Sequence, residues 1–419
     1  MQDHPTTKTT VKRRSELTFR HNTAQGRHGW LRLTPAYSIK VVEQILDRHH
    51  ERLNVFDPFS GTATTALCAA MRGHHAVALD INPFLVWFGN AKVCRYSEAE
   101  ISQAKRYAAK VVESSSGERE DFYTLPPLFN IERWWQPEKL RFLCRIMHAI
   151  RNIGDGNRPA LDLLLIAFSR TMIALSNAAF NHQSMSFKEI TDSSKQLSLF
   201  TQEDNREFER RFLNDAEFVI AGASENPPHA SSILLADSRY VPTVFDDGAD
   251  LLITSPPYPN RMSYIRELRP YMYWLGFLKE ARDAGEMDWK AIGGTWGIAT
   301  SRLTNWNKKS ETYFPDYLPG LLKKIRSSDA KSGEVLSRYV GKYFEDIWQH
   351  LNSAVKLMKH GGEMHYIVGN SKFYNVLIPV EEIYRDMLKK VGVGSTVIIP
   401  LRKRNSKKEL VEFDVVATV

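Results

Sequence analysis

The chain has 419 residues, long enough for a large core and an accessory domain, and its 43% hydrophobic and 25% charged residues are ordinary globular values. No apolar run is long enough for a membrane span, the start lacks a secretory pattern, and Cys68, Cys94 and Cys144 have no disulfide or metal-site spacing, so a cytoplasmic protein without a metal centre is expected. The net charge of +8 is uneven: residues 1–32 carry seven Lys/Arg against two acids and residues 301–342 nine against four, two basic segments suited to a polyanion.

Residues 1–27 are polar, rich in Thr, Lys and Arg, and read as a basic flexible tail. The run at 53–56 predicts a first strand, ended by the turn Asp57-Pro58-Phe59-Ser60-Gly61. Small and apolar residues predict a helix over 64–71 closed by Gly73, and 76–79 predicts a second strand ending on Asp80. Strand, tight turn, helix and strand make a βαβ unit of a Rossmann-like α/β sheet. From 97 to 230 helical periodicity takes over, with polar breaks at 114–117 and 191–205, and this helical insertion is a candidate for target recognition. Strands return at 233–236, 250–253, 365–368, 396–399 and 413–416. A second, basic insertion at 280–340 carries Trp296 and Trp306 and is a candidate DNA contact. The catalytic domain is therefore expected over 28–96 and 231–419.

Asp57, Phe59 and Gly61 fall at the carboxyl end of the first strand, where open α/β sheets bind ligands. Glycine lets the backbone approach a ligand, and the following helix aims amide N–H groups at it. Asp80 is placed to accept ribose hydroxyls, and Asp237, ending a third strand, to meet an adenine amino group. The Gly-x-Gly-x-x-Gly dinucleotide spacing is absent. At the end of the 250–253 strand stands Thr254-Ser255-Pro256-Pro257-Tyr258. Two prolines fix φ and remove two donors, leaving carbonyl acceptors for a base amino group. Ser255 adds a hydroxyl and Tyr258 an aromatic face for an extruded base. Singly, each segment is an ordinary turn after a core strand; their co-occurrence at two strand ends points to one site.

Residues 57–65 resemble the Asp-Pro-Phe-x-Gly-x-Gly-Thr-Thr motif of amino-group DNA methyltransferases, with Ala63 in place of the second glycine. Ser255-Pro256-Pro257-Tyr258-Pro259-Asn260-Arg261 resembles a Ser-Pro-Pro-Tyr subgroup of that family. His28-Gly29-Trp30, running on through Thr34 to Ser38, resembles its other cofactor segment, and Val368-Gly369-Asn370-Ser371 a strand end beside its catalytic loop. Arg133-Trp134-Trp135 and Ser184-Met185-Ser186-Phe187 match loosely and read equally as core. The resemblance implies a methyltransferase sheet with S-adenosylmethionine as cofactor and double-stranded DNA as substrate, with a cognate restriction endonuclease as partner. It implies Asp57, Phe59, Gly61, Asp80, Asp237 and Thr34 at the cofactor, and Ser255, Pro256, Pro257 and Tyr258 at the target base. Arg261, Lys308 and Lys309 are the candidate DNA contacts. Ser255 before the prolines favours cytosine N4, with adenine N6 as the alternative. An RNA methyltransferase and a non-catalytic nucleic-acid binder stand behind both. None of the three cysteines follows a proline, which argues against cytosine-C5 chemistry.

Overall fold

A computed structural model describes residues 11–33, 37–115, 124–153, 156–179, 186–187, 202–295, 298–404 and 409–419. Its strands are β1 (Asn54–Asp57), β2 (His75–Asp80), β3 (Ala178–Ala179), β4 (Ser186–Phe187), β5 (Ser231–Leu235), β6 (Ala249–Thr254), β7 (Met358–Gly369), β8 (Ser371–Phe373), β9 (Val376–Ile378), β10 (Ser395–Lys403) and β11 (Val411–Thr418). Seven of them form one sheet in the order β10-β11-β7-β6-β1-β2-β5, while β3-β4 and β8-β9 are separate short pairs. The strands from β7 to β5 are parallel, and β11 lies antiparallel between β7 and β10. This is the expected doubly wound sheet, and all seven strands fall on the positions predicted for them. The parallel order reverses between β1 and β6, which places the switch-point crevice at Asp57 and Thr254.

The period of two explains why the central strands read as unbroken apolar runs. Val55, Ala76, Ala78, Leu251 and Ile253 point to one face, Phe56, Val77, Leu79 and Leu252 to the other, and both faces are covered. The first face is packed by α1 (Ile39–Leu46) and α2 (Thr64–Met71), with the end of α3 (Pro83–Val93). The second is packed by α12 (Gly333–Ala354) and α13 (Val380–Val391). Helix α2 is capped at its N-terminus by Ala63, whose φ of 55° lies in the left-handed region. The glycine common at this position in the resembled motif would adopt that conformation freely; alanine carries a strain of ~1–2 kcal/mol. Its buried methyl fits because Gly89 of α3 lacks a side chain, where a Cβ would stand 3.1 Å from that of Ala63.

The expected helical insertion is α4 (Glu98–Ser114), α5 (Pro137–Asn152), α6 (Arg158–Ala174) and α7 (Gln202–Ala223). Its core does not close on itself. Helix α8 (Tyr264–Trp274), which directly follows the Pro-Pro segment, supplies Ile265, Leu268, Met272 and Trp274 to it. Trp135 meets Trp274 edge to face at 5.8 Å, and Trp134 meets Phe187 at 4.9 Å, so the two loosely matching aromatic motifs pack on each other as core. Residues 184 and 185 lie outside the described residues.

Two of the expected segments take a defined place in the fold. Residues 11–27, read as part of a flexible tail, include three short 3-10 helices, and Leu17, Asn22 and Arg27 are buried. Arg27 is held by the carbonyls of Gly222 (3.0 Å), Lys92 (2.9 Å), Cys94 (2.5 Å) and Ala223 (2.7 Å) and by Asn226 Oδ1 (3.0 Å). Composition suggested a solvated cation; these acceptors turn it into a core tie. The basic insertion at 280–340, expected within the catalytic domain, contains α9 (Ala281–Lys290), α10 (Ile298–Leu303) and α11 (Leu318–Ser327). Leu303, Leu318 and Ile325 are buried in the second layer of the sheet, and the first turns of α12 fall inside the same stretch. Trp306 donates to Glu345 of α12 at 3.1 Å and lies against Gly341, while Trp296 is outside the described residues.

Candidate active site

The two motifs meet through one short hydrogen bond. Thr254 Oγ1, at the end of β6, donates to Asp57 Oδ1, at the end of β1, at 2.6 Å. Phe59 N–H donates to the same carboxylate oxygen at 3.1 Å, closing the turn that carries the loop out of the strand. Burial raises the Asp57 carboxyl to about 6, against the opposing hydrogen bond from Thr254. Asp57 Oδ2 and Ser60 Oγ are buried without a hydrogen bond among the described residues. Such groups are costly unless a ligand or water completes them.

Asp80 organises the other side of the loop. Its Oδ2 accepts from Gly61 N–H at 2.9 Å and its Oδ1 from Asn82 N–H at 2.8 Å. Its surroundings push the carboxyl up to about 7, desolvation outweighing these two bonds. Gly61 has φ +50°, and a Cβ there would meet only the Phe59 carbonyl at 3.9 Å, so the approach to the backbone is open. Beneath the loop, Lys92 Nζ donates to the Thr62 carbonyl at 2.5 Å, and burial lowers its ammonium to about 7. Phe59 packs edge to face on His350 at 4.8 Å. Burial lowers that imidazole to about 4, and its Nδ1 lies 2.9 Å from the Ser238 carbonyl.

Asp237 lies two residues beyond β5, whose last residue pairs with Asp80, and its carboxylate is taken by Arg239 at 2.6 Å. Arg239 also binds Asp346 at 3.0 Å. Of the N-terminal segment, Tyr37 hydrogen-bonds Thr65 of α2, Trp30 is buried in the helical core, and Thr34 lies outside the described residues.

In the Pro-Pro segment, Pro256 is buried while Ser255, Pro257 and Tyr258 are half-buried. The Tyr258 hydroxyl donates to Glu412 Oε1 at 3.0 Å, and the Arg404 guanidinium lies 4.8 Å from its ring centre. Arg261 has φ 63°, its N–H donates to the Tyr339 hydroxyl at 3.2 Å, and its side chain is exposed beside the loop. Lys308 is exposed, and its ammonium donates to the Thr312 carbonyl at 2.7 Å and the Lys309 carbonyl at 3.2 Å. Lys309 is exposed and anchors to Glu345 through its backbone N–H at 2.7 Å.

Residues 39–205 match the family model of the D12 class N6 adenine-specific DNA methyltransferases. The chain is 22% identical over 376 residues to the type II methyltransferase M.MvaI of Kocuria varians, covering 86% of this chain and 80% of that protein. It is 19% identical over 473 residues to M.BsoBI of Geobacillus stearothermophilus, covering 99% and 88%, and 20% identical over 438 residues to M.AvaI of Nostoc sp., covering 95% and 86%. These likenesses support a DNA methyltransferase. No solved structure matches significantly. The seven-stranded, mostly parallel sheet flanked by helices is consistent with an S-adenosylmethionine-dependent methyltransferase fold. Among the described residues no helix is long and apolar enough to cross a membrane, and no group of metal-ligating side chains is found.

Sequence reading missed Thr254 as a bridge, Lys92 under the loop, His350 behind Phe59, and Glu412 and Arg404 at Tyr258. Thr254 stood first in the recognised Pro-Pro segment, but its bond to Asp57 depends on strand order. The other four stand on α3, α12, β11 and the end of β10, far from either motif along the chain, and only folding brings them in.

Proposed function

We propose that this protein transfers a methyl group from S-adenosylmethionine to the exocyclic N4 of cytosine within a specific site in double-stranded DNA. The observation that carries this reading is the Asp57–Thr254 bond, which sets the cofactor-type loop and the Ser255–Tyr258 segment side by side at the switch point. The residues fit the cofactor: Asp57 Oδ2 and Ser60 Oγ lack partners, Gly61 leaves its backbone accessible, and Asp80 presents a carboxylate at the loop. When bound, the cofactor supplies an electrophilic methyl on a sulfonium. Asp80 would hold the ribose, and Asp237 would reach adenine only by sharing its carboxylate with Arg239. The carbonyls of the Pro-Pro segment and the Ser255 hydroxyl accept hydrogen bonds from the target amino group and orient its lone pair. Tyr258 stacks on the extruded base. Positioning is then the main catalytic term, and no covalent enzyme intermediate is required.

Ser255 supports cytosine as the target base. The adenine-N6 description of the matching family supports a second reading, although that match covers 39–205 and stops before the loop that would hold the base. The relatives' type II designation supports a place in restriction–modification, beside a cognate endonuclease. Expressing the chain in a methylation-free host and sequencing its DNA by a method that separates N4-methylcytosine from N6-methyladenine tests both. N4-methylcytosine at one motif, lost in Tyr258→Ala, is the expected result. N6-methyladenine would transfer the reading to adenine, and unmodified DNA would overturn it.

A further inference from the structure

We propose that Glu412 and Arg404 are positioning residues that lock the Tyr258 ring in place for its target base. The inference rests on the function proposed above and goes beyond it by assigning a role to the antiparallel hairpin of β10 and β11. Four features converge on the ring. First, the phenol is tethered: its hydroxyl donates to Glu412 Oε1 at 3.0 Å, beside Ser255. Second, Glu412 is itself buried and held. It is 5% exposed and receives a two-pronged clamp from Arg402, Nε to Oε2 at 2.8 Å and Nη2 to Oε1 at 3.1 Å. Third, a register shift between Pro400 and Arg402 sets Arg402 rather than Leu401 opposite Glu412. Bulges of this kind re-aim side chains beside functional sites. Fourth, Arg404 reaches the Tyr258 ring by passing over Gly369, where any Cβ would stand 2.7 Å from its Nη1. Its Nη1 donates to the Asn370 carbonyl at 2.8 Å, and the Asn370 side chain binds back to Val411 N–H at 2.9 Å and the Glu409 carbonyl at 2.9 Å. The guanidinium thus lies on the aromatic surface as a cation–π partner, and the phenol edge is pinned by a charged acceptor. A stacking platform whose rotamer is fixed in advance loses no freedom when the base arrives. Burial and the neighbouring Glu412 both hold the Tyr258 phenol above its ordinary range, so it stays protonated and donating.

Turnover on unmethylated plasmid DNA, followed by transfer of labelled methyl from S-adenosylmethionine, tests this with Tyr258→Phe, Glu412→Ala, Glu412→Gln and the Tyr258→Phe/Glu412→Ala pair. Each of the first two lowers kcat about 10-fold, the scale of one hydrogen bond to a charged group, with KM for the cofactor within about twofold. Glu412→Gln recovers most of the loss, because its amide oxygen still accepts from the phenol, and the double variant falls no more than about twofold below the worse single one. Losses that multiply in the double variant, or a Tyr258→Phe enzyme with parental kcat, overturn the proposal. A second readout does not require activity: 3-fluorotyrosine placed at 258 is titrated by fluorine NMR. Its ionisation moves to lower pH in Glu412→Gln if the carboxylate faces the phenol, and an unmoved titration overturns the tether. A parent chain that transfers no methyl group but passes this titration would fault the proposed function and leave the tether standing.

Discussion

At the scale of single residues the loop carboxylates set a pH dependence. Asp80 is raised to about 7 and Asp57 to about 6, both chiefly by burial. A carboxyl raised in the folded state binds its proton more tightly there than in the unfolded chain. The stabilising contribution is therefore complete below about pH 4, the unfolded value, and is lost as pH rises through 6 and then 7. The thermal midpoint of the cofactor-free protein should fall by a few degrees between pH 5 and 8, and by less in Asp80→Asn. Cofactor affinity should run the other way, because only ionised Asp80 offers its full set of acceptors to the ribose. Calorimetric titration with S-adenosylmethionine should show tighter binding at pH 8 than at pH 6 in the parent, and weak, nearly pH-independent binding in Asp80→Asn. Equal affinity of parent and variant at pH 8 would place the ribose elsewhere. Asp80 was legible in the sequence because it ends a strand after a glycine turn. Its raised carboxyl was not, since desolvation depends on what covers the loop.

At the scale of elements, the N-terminal segment is a tie between layers. Arg27 satisfies four carbonyls from α3, the residue after it, and α7, and Arg170 of α6 binds the carbonyls of Gly29 (2.8 Å) and Trp30 (2.7 Å). Arg170 also pairs with the buried Asp215 of α7 at 2.9 Å. Replacing Arg27 with Ala strands several buried acceptors at once and should cost about 3 kcal/mol or more. Urea unfolding measures this, and a change under about 1 kcal/mol would show that water replaces the guanidinium without loss. Nothing in the local sequence separates this arginine from Arg13 or Arg14. Its role follows from the carbonyls at the ends of α3 and α7, which lie 65 to 196 residues away.

At the scale of the whole molecule, charge and architecture must be read together. The basic stretch 301–342 is bound into the sheet's second layer through Leu303, Leu318 and Ile325, so its cations sit on a rigid surface rather than a loose lid. Lys308 is occupied by its own loop, and Arg338 and Arg326 share Glu334. Lys309 is left as the better candidate for a phosphate. Replacing Lys308 and Lys309 together with Ala should therefore lower the magnitude of the salt slope of DNA binding by about 0.9, the loss of one phosphate contact rather than two. A slope equal to that of the parent would mean this face does not meet DNA.

The sequence by itself determined the seven strands, the helix after Asp57 and the two strand-end motifs, because each is written in a few consecutive residues. A strand buried on both faces is a short apolar run, and a glycine or proline turn at its carboxyl end is local chemistry. Tertiary structure decided what those ends face. Strand order brought Asp57 against Thr254 across 197 residues, the hairpin brought Glu412 and Arg404 onto Tyr258, and α8 joined the Pro-Pro segment to a helical core begun far upstream. Hydrogen bonds and desolvation act over a few ångströms in space, whatever the separation along the chain, and so the partners of Arg27, Asp237 and Glu412 became visible only once the sheet was assembled.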